Sequence, residues 1–236
     1  MFDAKRKRFW TAASARPEST GFGIFLDERP VKTPGKMPLV VPTESLGVAI
    51  AAEWDAQQDR IDPGAMPMTR MANTAIDKVR LRMPEVAEVV AEYGGCDLLC
   101  YRAEGPEELC ARQQQAWDPL LDWSATVQGA PLNAAAGIVY VDQPPASVSK
   151  LAARVHAMSY WELVAFHDLV ALSGSLVIAL AAIDKVRPVS ELWDLSCLDE
   201  HYQTEVWGED TLALASAAIK ATAFQDAYRF FEFVQI

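Results

Sequence analysis

The sequence predicts an α+β fold, in which a small β-rich N-terminal domain precedes a larger, mostly α-helical C-terminal domain. Short apolar runs punctuated by Pro and Gly dominate the first 83 residues, whereas helical patterns fill the rest. The charge divides at the same place, because residues 1–83 carry a net +3 and residues 84–236 a net −14. We therefore predict two domains, 1–83 and 84–236, although a chain of 236 residues could also form one.

Short strands are predicted in the N-terminal part. Residues 22–26 (FGIFL) are typical of a strand, residues 27–30 of a turn, and residues 31–33 of the returning strand. Residues 38–42 predict another short strand with prolines at its ends, where no backbone donor is missing from a ladder. These segments account for the β-rich character of the first domain.

The first helix is predicted to begin after Thr43, whose side chain suits an N-cap. Leu46, Ile50 and Trp54 recur at intervals of four and therefore share one helical face. We expect this helix to fade near Asp59. Because Trp54 lies on the apolar face, we assign it a structural role.

Helical patterns then follow one another to the end of the chain. Pro119 is expected to break or restart the helix that begins at Pro106, because proline lacks the backbone donor. The predicted helices are 69–82, 84–94, the segment from 106, 146–158, 160–172, 175–183, 189–207 with a break near Leu198 as an alternative, and 210–234.

Composition excludes several classes of function. The net charge of −11 opposes a nucleic-acid binder, which needs a basic surface, and also opposes docking on anionic lipid. The most apolar stretch, residues 169–183, is shorter than the roughly 20 residues of a membrane-spanning helix, and we predict a buried helical hairpin there. No secretory signal precedes the first strand, since the basic residues 5–8 are not followed by an apolar segment.

No pattern indicates a metal or cofactor. Four cysteines show no zinc-ligand spacing and are expected to be buried thiols: Cys96, Cys100, Cys110 and Cys197. Neither a phosphate-binding glycine loop nor a nucleophile elbow occurs. His201 stands among acids, which leaves one enzymatic alternative open: a hydrolase or transferase of unrecognised type that uses His201 and nearby carboxylates.

Tryptophans beside acids and amides indicate either core packing or a protein interface. Trp residues are enriched at interfaces because they bury a large area and still offer a donor. For Trp117 and Trp123 the two interpretations are equally supported by sequence, and we include both among the candidate partner-binding residues.

Several motifs together resemble a chaperone family that assembles the F₁ sector of ATP synthase. They occur in order over about residues 8–210, and only their combination is specific. The matching segments are Gly23-Ile24-Phe25-Leu26-Asp27, Lys32-Thr33-Pro34, Val41-Pro42-Thr43-Glu44-Ser45-Leu46, Ala52-Glu53-Trp54-Asp55-Ala56-Gln57-Gln58-Asp59, Met68-Thr69-Arg70, Asn73-Thr74-Ala75, Cys100-Tyr101-Arg102, Trp117-Asp118-Pro119-Leu120-Leu121-Asp122-Trp123 and Glu200-His201-Tyr202-Gln203-Thr204-Glu205-Val206-Trp207-Gly208.

The resemblance implies the same two-domain fold and a function without catalysis. It implies that the protein binds unassembled F₁ α subunit and shields the surface that contacts β, until β displaces it. We expect a free monomer that needs no cofactor. Because only about ten residues precede the match, we expect a bacterial cytoplasmic protein, with the mitochondrial matrix as the location of eukaryotic relatives. A protein-interaction module for another partner stays open as an alternative.

The resemblance also places the candidate site before and around Trp207-Gly208. The family emphasises an acidic residue there, and Glu200 is the best candidate, with Glu205 and Glu209 as alternatives. Tyr202, Gln203 and Trp207 belong to the same segment. Residues 212–215 (LALA) are more apolar than the polar, arginine-bearing helix expected from the family, so the role of the last helix stays open.

Overall fold

The computed structural model describes residues 7–235, and these form two compact units. The first unit comprises residues 7–83, 159–165 and 229–235, and the second comprises residues 84–158 and 166–228. The fold class predicted from the sequence is confirmed, because a small β region precedes a mostly helical remainder. The exact boundary after residue 83 stays a prediction.

The first unit contains a four-stranded antiparallel sheet: β1 (Ala13–Glu18), β2 (Gly21–Leu26), β3 (Arg29–Pro30) and β4 (Val40–Val41). Strand β2 is central, since β1, β3 and β4 all pair with it. Strand β1 was not predicted, because its sequence ASARPE carries no large apolar residue. The predicted bounds of the return strand are wrong, because β3 occupies residues 29–30 of the predicted turn and ends before residue 31, although Val31 still donates to the carbonyl of Ile24.

A glycine is required where β2 begins. Gly21 has a φ of +148°, and a Cβ atom built there would lie 2.2 Å from the carbonyl oxygen of Val41 on β4. A side chain is therefore excluded both by backbone conformation and by the close approach of the neighbouring strand.

Helix α1 (Glu44–Asp55) covers this sheet. The predicted cap and apolar face are confirmed: Thr43 Oγ1 accepts from the amide of Leu46, and Leu46, Ile50 and Trp54 are buried. The helix ends four residues before the predicted Asp59. The Gln57 side chain explains the early end, because it donates back to the Glu53 carbonyl and accepts from the Asp62 amide, which turns the chain away.

Helix α2 (Pro67–Asp77) follows a 3₁₀ turn (Pro63–Ala65) and precedes another (Val79–Leu81). It begins two residues before the predicted start at residue 69, and it ends five residues before the predicted end at residue 82. The Glu53 carboxylate accepts from the amides of Met68 and Thr69 at 2.7 and 2.8 Å, so an acid on α1 caps the start of α2.

Helices make up most of the second unit, and three of them also contribute residues to the first. Met83 of α3, residues 160–165 of α6 and residues 229–235 of α10 belong to the first unit. A two-residue parallel pair joins β5 (Tyr101–Arg102) to β6 (Ala135–Ala136). The helices are α3 (Met83–Ala91), α4 (Glu107–Thr126), α5 (Pro145–His156), α6 (Tyr160–Ser173), α7 (Leu176–Ile183), α8 (Val189–Ser196), α9 (Leu198–Trp207) and α10 (Thr211–Gln235).

Proline does not break α4, which is a correction to the sequence prediction. The helix continues through Pro119 to Thr126. Pro119 and Gln115, four residues earlier, are both exposed, so solvent can satisfy the carbonyl that loses its donor. Trp117, Leu120 and Leu121 on the other side are buried and hold the helix together. The alternative break near Leu198 is confirmed, since Cys197 separates α8 from α9.

The buried helix α7 forms the centre of the second unit. Its residues 176–182 are all buried, and it packs against α4 and α8. Among residues 7–235, no helix is both long enough and apolar enough to cross a membrane. The predicted buried helical segment at 175–183 is confirmed.

A buried carboxylate anchors the start of α7. Asp97 accepts from the Ser175 hydroxyl at 2.7 Å, the Val177 amide at 2.9 Å and the Leu99 amide at 3.0 Å. Ser175 itself caps the helix by accepting from Ile178. Loss of solvation raises the pKa of Asp97, while these hydrogen bonds oppose the rise.

The cysteines differ in environment. Cys100 is fully buried, and burial raises the pKa of its thiol to about 12. Cys110 and Cys197 are half-buried, and Cys96 is exposed, so the prediction of a buried thiol is wrong for Cys96. Over the described range 7–235, no three His, Cys, Asp or Glu side chains gather as metal ligands.

Candidate partner-binding surface

Helix α9 carries most of the residues that the sequence singles out, and it buries none of its residues. Glu200, Gln203 and Trp207 are separated by three and four positions, and therefore share one side of the helix. All three are exposed, and Trp207 keeps 79% of its surface accessible. We call these three residues the α9 outer face.

The opposite side of α9 is attached to α4 by polar contacts. Gln113 donates from Nε2 to Asp199 Oδ1 at 2.7 Å, and its Oε1 accepts from the Ala103 amide. Arg112 donates to Glu205 Oε2, also at 2.7 Å, and its guanidinium lies 5.3 Å from the centre of the Tyr202 ring. Tyr202 and Glu205 thus contribute to holding the helix, which leaves the outer face free.

Arg112 is shared between two helices. One of its nitrogens donates to Glu205 of α9 and the other to Glu108, one turn earlier on α4. The fork geometry of the guanidinium suits two carboxylates at once. Among the acidic alternatives for the site, Glu205 is therefore occupied within the protein, whereas the side chains of Glu200 and Glu209 are exposed, and Glu200 accepts only through its backbone carbonyl, from the Thr204 hydroxyl.

The two candidate tryptophans of α4 have different environments. Trp117 is 1% exposed, and its Nε1 donates to the Leu195 carbonyl at 2.8 Å. Its ring also packs 5.2 Å from the Arg102 guanidinium. Burial therefore gives Trp117 a structural role, and we remove it from the candidate surface. Trp123 is half-buried.

Two exposed apolar segments were not assigned to a site from the sequence. Residues 211–220 of α10 are all exposed, including Leu212 at 82% and Ile219 at 71%. Ile138 is 97% exposed in the loop after β6, whose base is fixed by reciprocal hydrogen bonds between Asn133 and Gln143. Apolar sequence alone indicates a core, so exposure could be found only in the structure.

His201, on which the enzymatic alternative depends, lies exposed on α9, and the neighbouring Asp199 is bound to Gln113. A cleft of about 740 Å³ lies in the first unit and is lined by Lys7–Thr11 and Gln57–Arg60, far along the chain from His201. A catalytic base needs a substrate site within hydrogen-bond reach, and this cleft is not lined by His201.

Trp54, expected to be structural, lies in the first unit at 4% exposure. Its ring meets that of Trp10 edge to face, with the ring centres 5.3 Å apart. The residue has no exposed face that a partner could contact.

Comparison with known proteins identifies the family. A family profile described as ATP12 chaperone protein matches residues 7–125. The crystal structure of Atp12 from Paracoccus denitrificans has a TM-score of 0.94 and 46% identity, covering 98% of this chain and 99% of that one.

Two further relatives are similar over most of their length. The Atu1473 protein of Agrobacterium tumefaciens has a TM-score of 0.93 and 37% identity, covering 97% of this chain and 86% of that one. The mitochondrial protein atp12 of Schizosaccharomyces pombe is 25% identical over 94% of this chain and 84% of its own length. The resemblance found in the sequence motifs is confirmed, and the chain belongs to the ATP12 chaperone family.

Proposed function

We propose that this chaperone binds the unassembled α subunit of F₁-ATPase through the α9 outer face and shields the α surface that contacts β. The observation that carries the proposal is the exposed Trp207, which shares its side of the helix with Glu200 and Gln203. Arrival of the β subunit then displaces the chaperone. Catalysis has no part in this function.

The chemistry of the surface suits a partner that must be held and later released. A large aromatic ring provides an apolar anchor, and such anchors supply most of the affinity of an interface. Carboxylates around it select a basic rim and speed association, but add less to affinity. The α9 outer face combines the two, with Glu209 following the helix end.

The proposal accounts for the two alternatives. An enzyme would need an enclosed substrate site, and the exposure of His201 on α9 favours the chaperone over that alternative. An interaction module for another partner would use a similar exposed surface, and only a binding experiment separates it from an α-specific chaperone. We further propose a cytoplasmic location, in keeping with the bacterial relatives at 37–46% identity.

Mixing the purified protein with isolated α and β subunits tests the proposal. We expect a 1:1 complex with α and none with β on size-exclusion chromatography, and we expect the protein to suppress the aggregation of α. Addition of β should then release the free chaperone as a monomer. Equal binding of α and β, or binding of neither, would refute the proposal.

Charge reversal on the outer face provides the residue-level test. Glu200→Lys should weaken α binding at least tenfold without lowering the unfolding temperature, because Glu200 is exposed. Glu104→Lys is the matched control, since Glu104 is also exposed in the second unit but lies on the loop before α4. Equal affinities of the two variants would exclude Glu200 from the site.

A further inference from the structure

The start of α10 is an apolar helix without a protein cover. Residues 211–220 (TLALASAAIK) form nearly three helical turns, and every one of them is exposed. Seven of these ten residues are Ala, Leu or Ile, and Lys220 carries the one charge. We call residues 211–220 the exposed segment of α10.

Such a composition is unusual for an exposed helix. A helix that is apolar on all sides is normally buried, whereas a surface helix keeps a polar side toward water. Leu212 and Ile219, seven residues apart, occupy one side, and Leu214 with several alanines occupies the other. Burial of only one side would leave the other in water, so the composition calls for a partner that surrounds the helix.

The helix is already formed without that partner. Asp210 Oδ1 accepts from the amides of Leu212 and Ala213 at 2.8 and 3.2 Å and so caps the helix. Farther along α10, the buried Phe224 and Ala227 hold the helix in the fold. Because the segment continues a packed helix, binding would not require ordering it, which lowers the entropic cost of association.

Three occupants can be compared. Ten helical residues extend only about 15 Å, which is half of a bilayer core, and the segment lacks the basic polar side of a membrane-surface helix. A second copy of this chain would bury too little, because a stable interface uses roughly 20–30 residues from each partner. A groove in a different protein can enclose the same ten residues from both sides.

The charges beside the segment define the rim of that groove. Glu209 and Asp210 directly precede it, and Lys220 is the single base within it. A complementary groove therefore has an apolar floor and basic residues at the end that receives the helix N-terminus. Trp207 of the α9 outer face lies four residues before Thr211, so one partner surface can extend over both.

We infer that the exposed segment of α10 inserts as a preformed helix into an apolar, basic-rimmed groove of the client, the unassembled α subunit. This inference rests on the proposed function and adds the second half of its binding surface. The exposed segment of α10 is then a determinant of the affinity for α.

The double variant Leu212→Gln/Ile219→Gln tests the inference. Glutamine preserves helix propensity and removes the apolar surface, and both positions are largely exposed, so the fold should be unchanged. Leu81→Gln/Val89→Gln is the matched control, since these residues are 71% and 52% exposed outside α9 and α10. We expect the Kd for α to rise at least tenfold in the first variant and less than twofold in the control.

A second measurement locates the contact. Hydrogen exchange of amides 214–220 should slow at least tenfold when the unaltered protein binds α.

Unchanged affinity of the double variant, or unchanged exchange in the complex, would overturn the inference while leaving α binding intact. Failure of the unaltered protein to bind α would overturn the proposed function as well. A dimer of the free protein that the double variant abolishes would instead assign the segment to a second copy.

Discussion

At the scale of single residues, Asp97 connects two parts of the second unit that are far apart in sequence. Its carboxylate accepts three hydrogen bonds, of which the Ser175 hydroxyl and the Val177 amide belong to the start of α7. A helix N-terminus favours a negative group, because its first amides have no partner within the helix. These hydrogen bonds therefore offset part of the cost of burying the carboxylate, and they cap the most buried helix.

Replacing Asp97 by Ala should lower the free energy of unfolding by about 2–4 kcal/mol, because several buried donors would lose their acceptor. Urea unfolding followed by circular dichroism measures the loss. Asp122→Ala provides the control, since Asp122 is exposed on α4 and should change stability by less than about 0.5 kcal/mol. A loss at Asp97 no larger than that of the control would contradict the capping role.

The second residue-level prediction concerns His167 and its neighbour. Asp168 accepts a hydrogen bond from the imidazolium over 3.0 Å, and this bond raises the pKa of His167 above 6.5, although burial partly opposes the rise. A raised folded-state pKa stabilises the protein fully below pH 6.5, and the contribution disappears as the pH rises through the folded-state pKa. Since both side chains are nearly half exposed, it amounts to about 0.5 kcal/mol at most.

Asp168→Asn should therefore lower the unfolding free energy at pH 6 and leave it unchanged at pH 9. An NMR titration should place the pKa of His167 above 6.5 in the unaltered protein and lower in the variant. The same titration curve in both proteins would exclude Asp168 as the cause of the shift.

At the scale of elements, α9 differs from its neighbours in how it is held. Helix α7 is stabilised by burying seven residues, whereas α9 buries none and depends on Gln113 and Arg112 of α4. Polar contacts at a surface contribute little net stability, so α9 should open locally before the rest of the unit.

Arg112→Ala should increase hydrogen exchange of the α9 amides severalfold and lower global stability by less than about 1 kcal/mol. The matched control is Arg187→Ala. Arg187 lies just before α8 and forms an ion pair at 2.6 Å with Glu191 in the first turn of that helix, so this pair does not join two helices. If exchange in α9 were the same in the two variants, the bridge from Arg112 to Glu205 would not hold the helix.

Elements also differ in how far their own sequence determines them. Features that depend only on neighbouring residues are predicted correctly: Thr43 caps α1, and the apolar run at 175–183 forms a buried helix. Strand β1 was missed, because its pairing with β2 depends on register and not on its own side chains. The continuation of α4 through Pro119 depends on long-range packing of Trp117 and Leu120, which no local pattern contains.

The candidate site was predicted only in part for the same reason. The motif ending at Trp207 placed the acids on one helix, but the distinction between Glu200, which is exposed, and Glu205, which binds Arg112, depends on where α4 lies. Trp117 and Trp207 have the same side chain and similar acidic neighbours, yet their exposures are 1% and 79%. For the apolar start of α10, the sequence leaves both a core and a partner surface open, and only the fold shows that the segment is exposed.

At the scale of the whole molecule, the uneven charge of the chain bears on association. Residues 84–236 carry a net charge of −14, whereas residues 1–83 carry +3. A surface of one sign attracts a basic partner over about 10 Å at 0.1 M salt, and this attraction acts chiefly on the association rate. The affinity that the charged part of the proposed interface contributes should therefore fall as the salt concentration rises, whereas the contribution of the apolar part should not change.

Raising the salt concentration from 50 to 300 mM should weaken α binding by about three- to tenfold, mainly through slower association. Stopped-flow mixing at several salt concentrations separates the two rate constants. Glu200→Gln should reduce the salt dependence of the association rate, whereas Leu212→Gln/Ile219→Gln should accelerate dissociation and leave that dependence unchanged, because it removes no charge. An affinity that is the same at both salt concentrations would eliminate the electrostatic contribution, and the apolar residues of α9 and α10 would then have to account for binding alone.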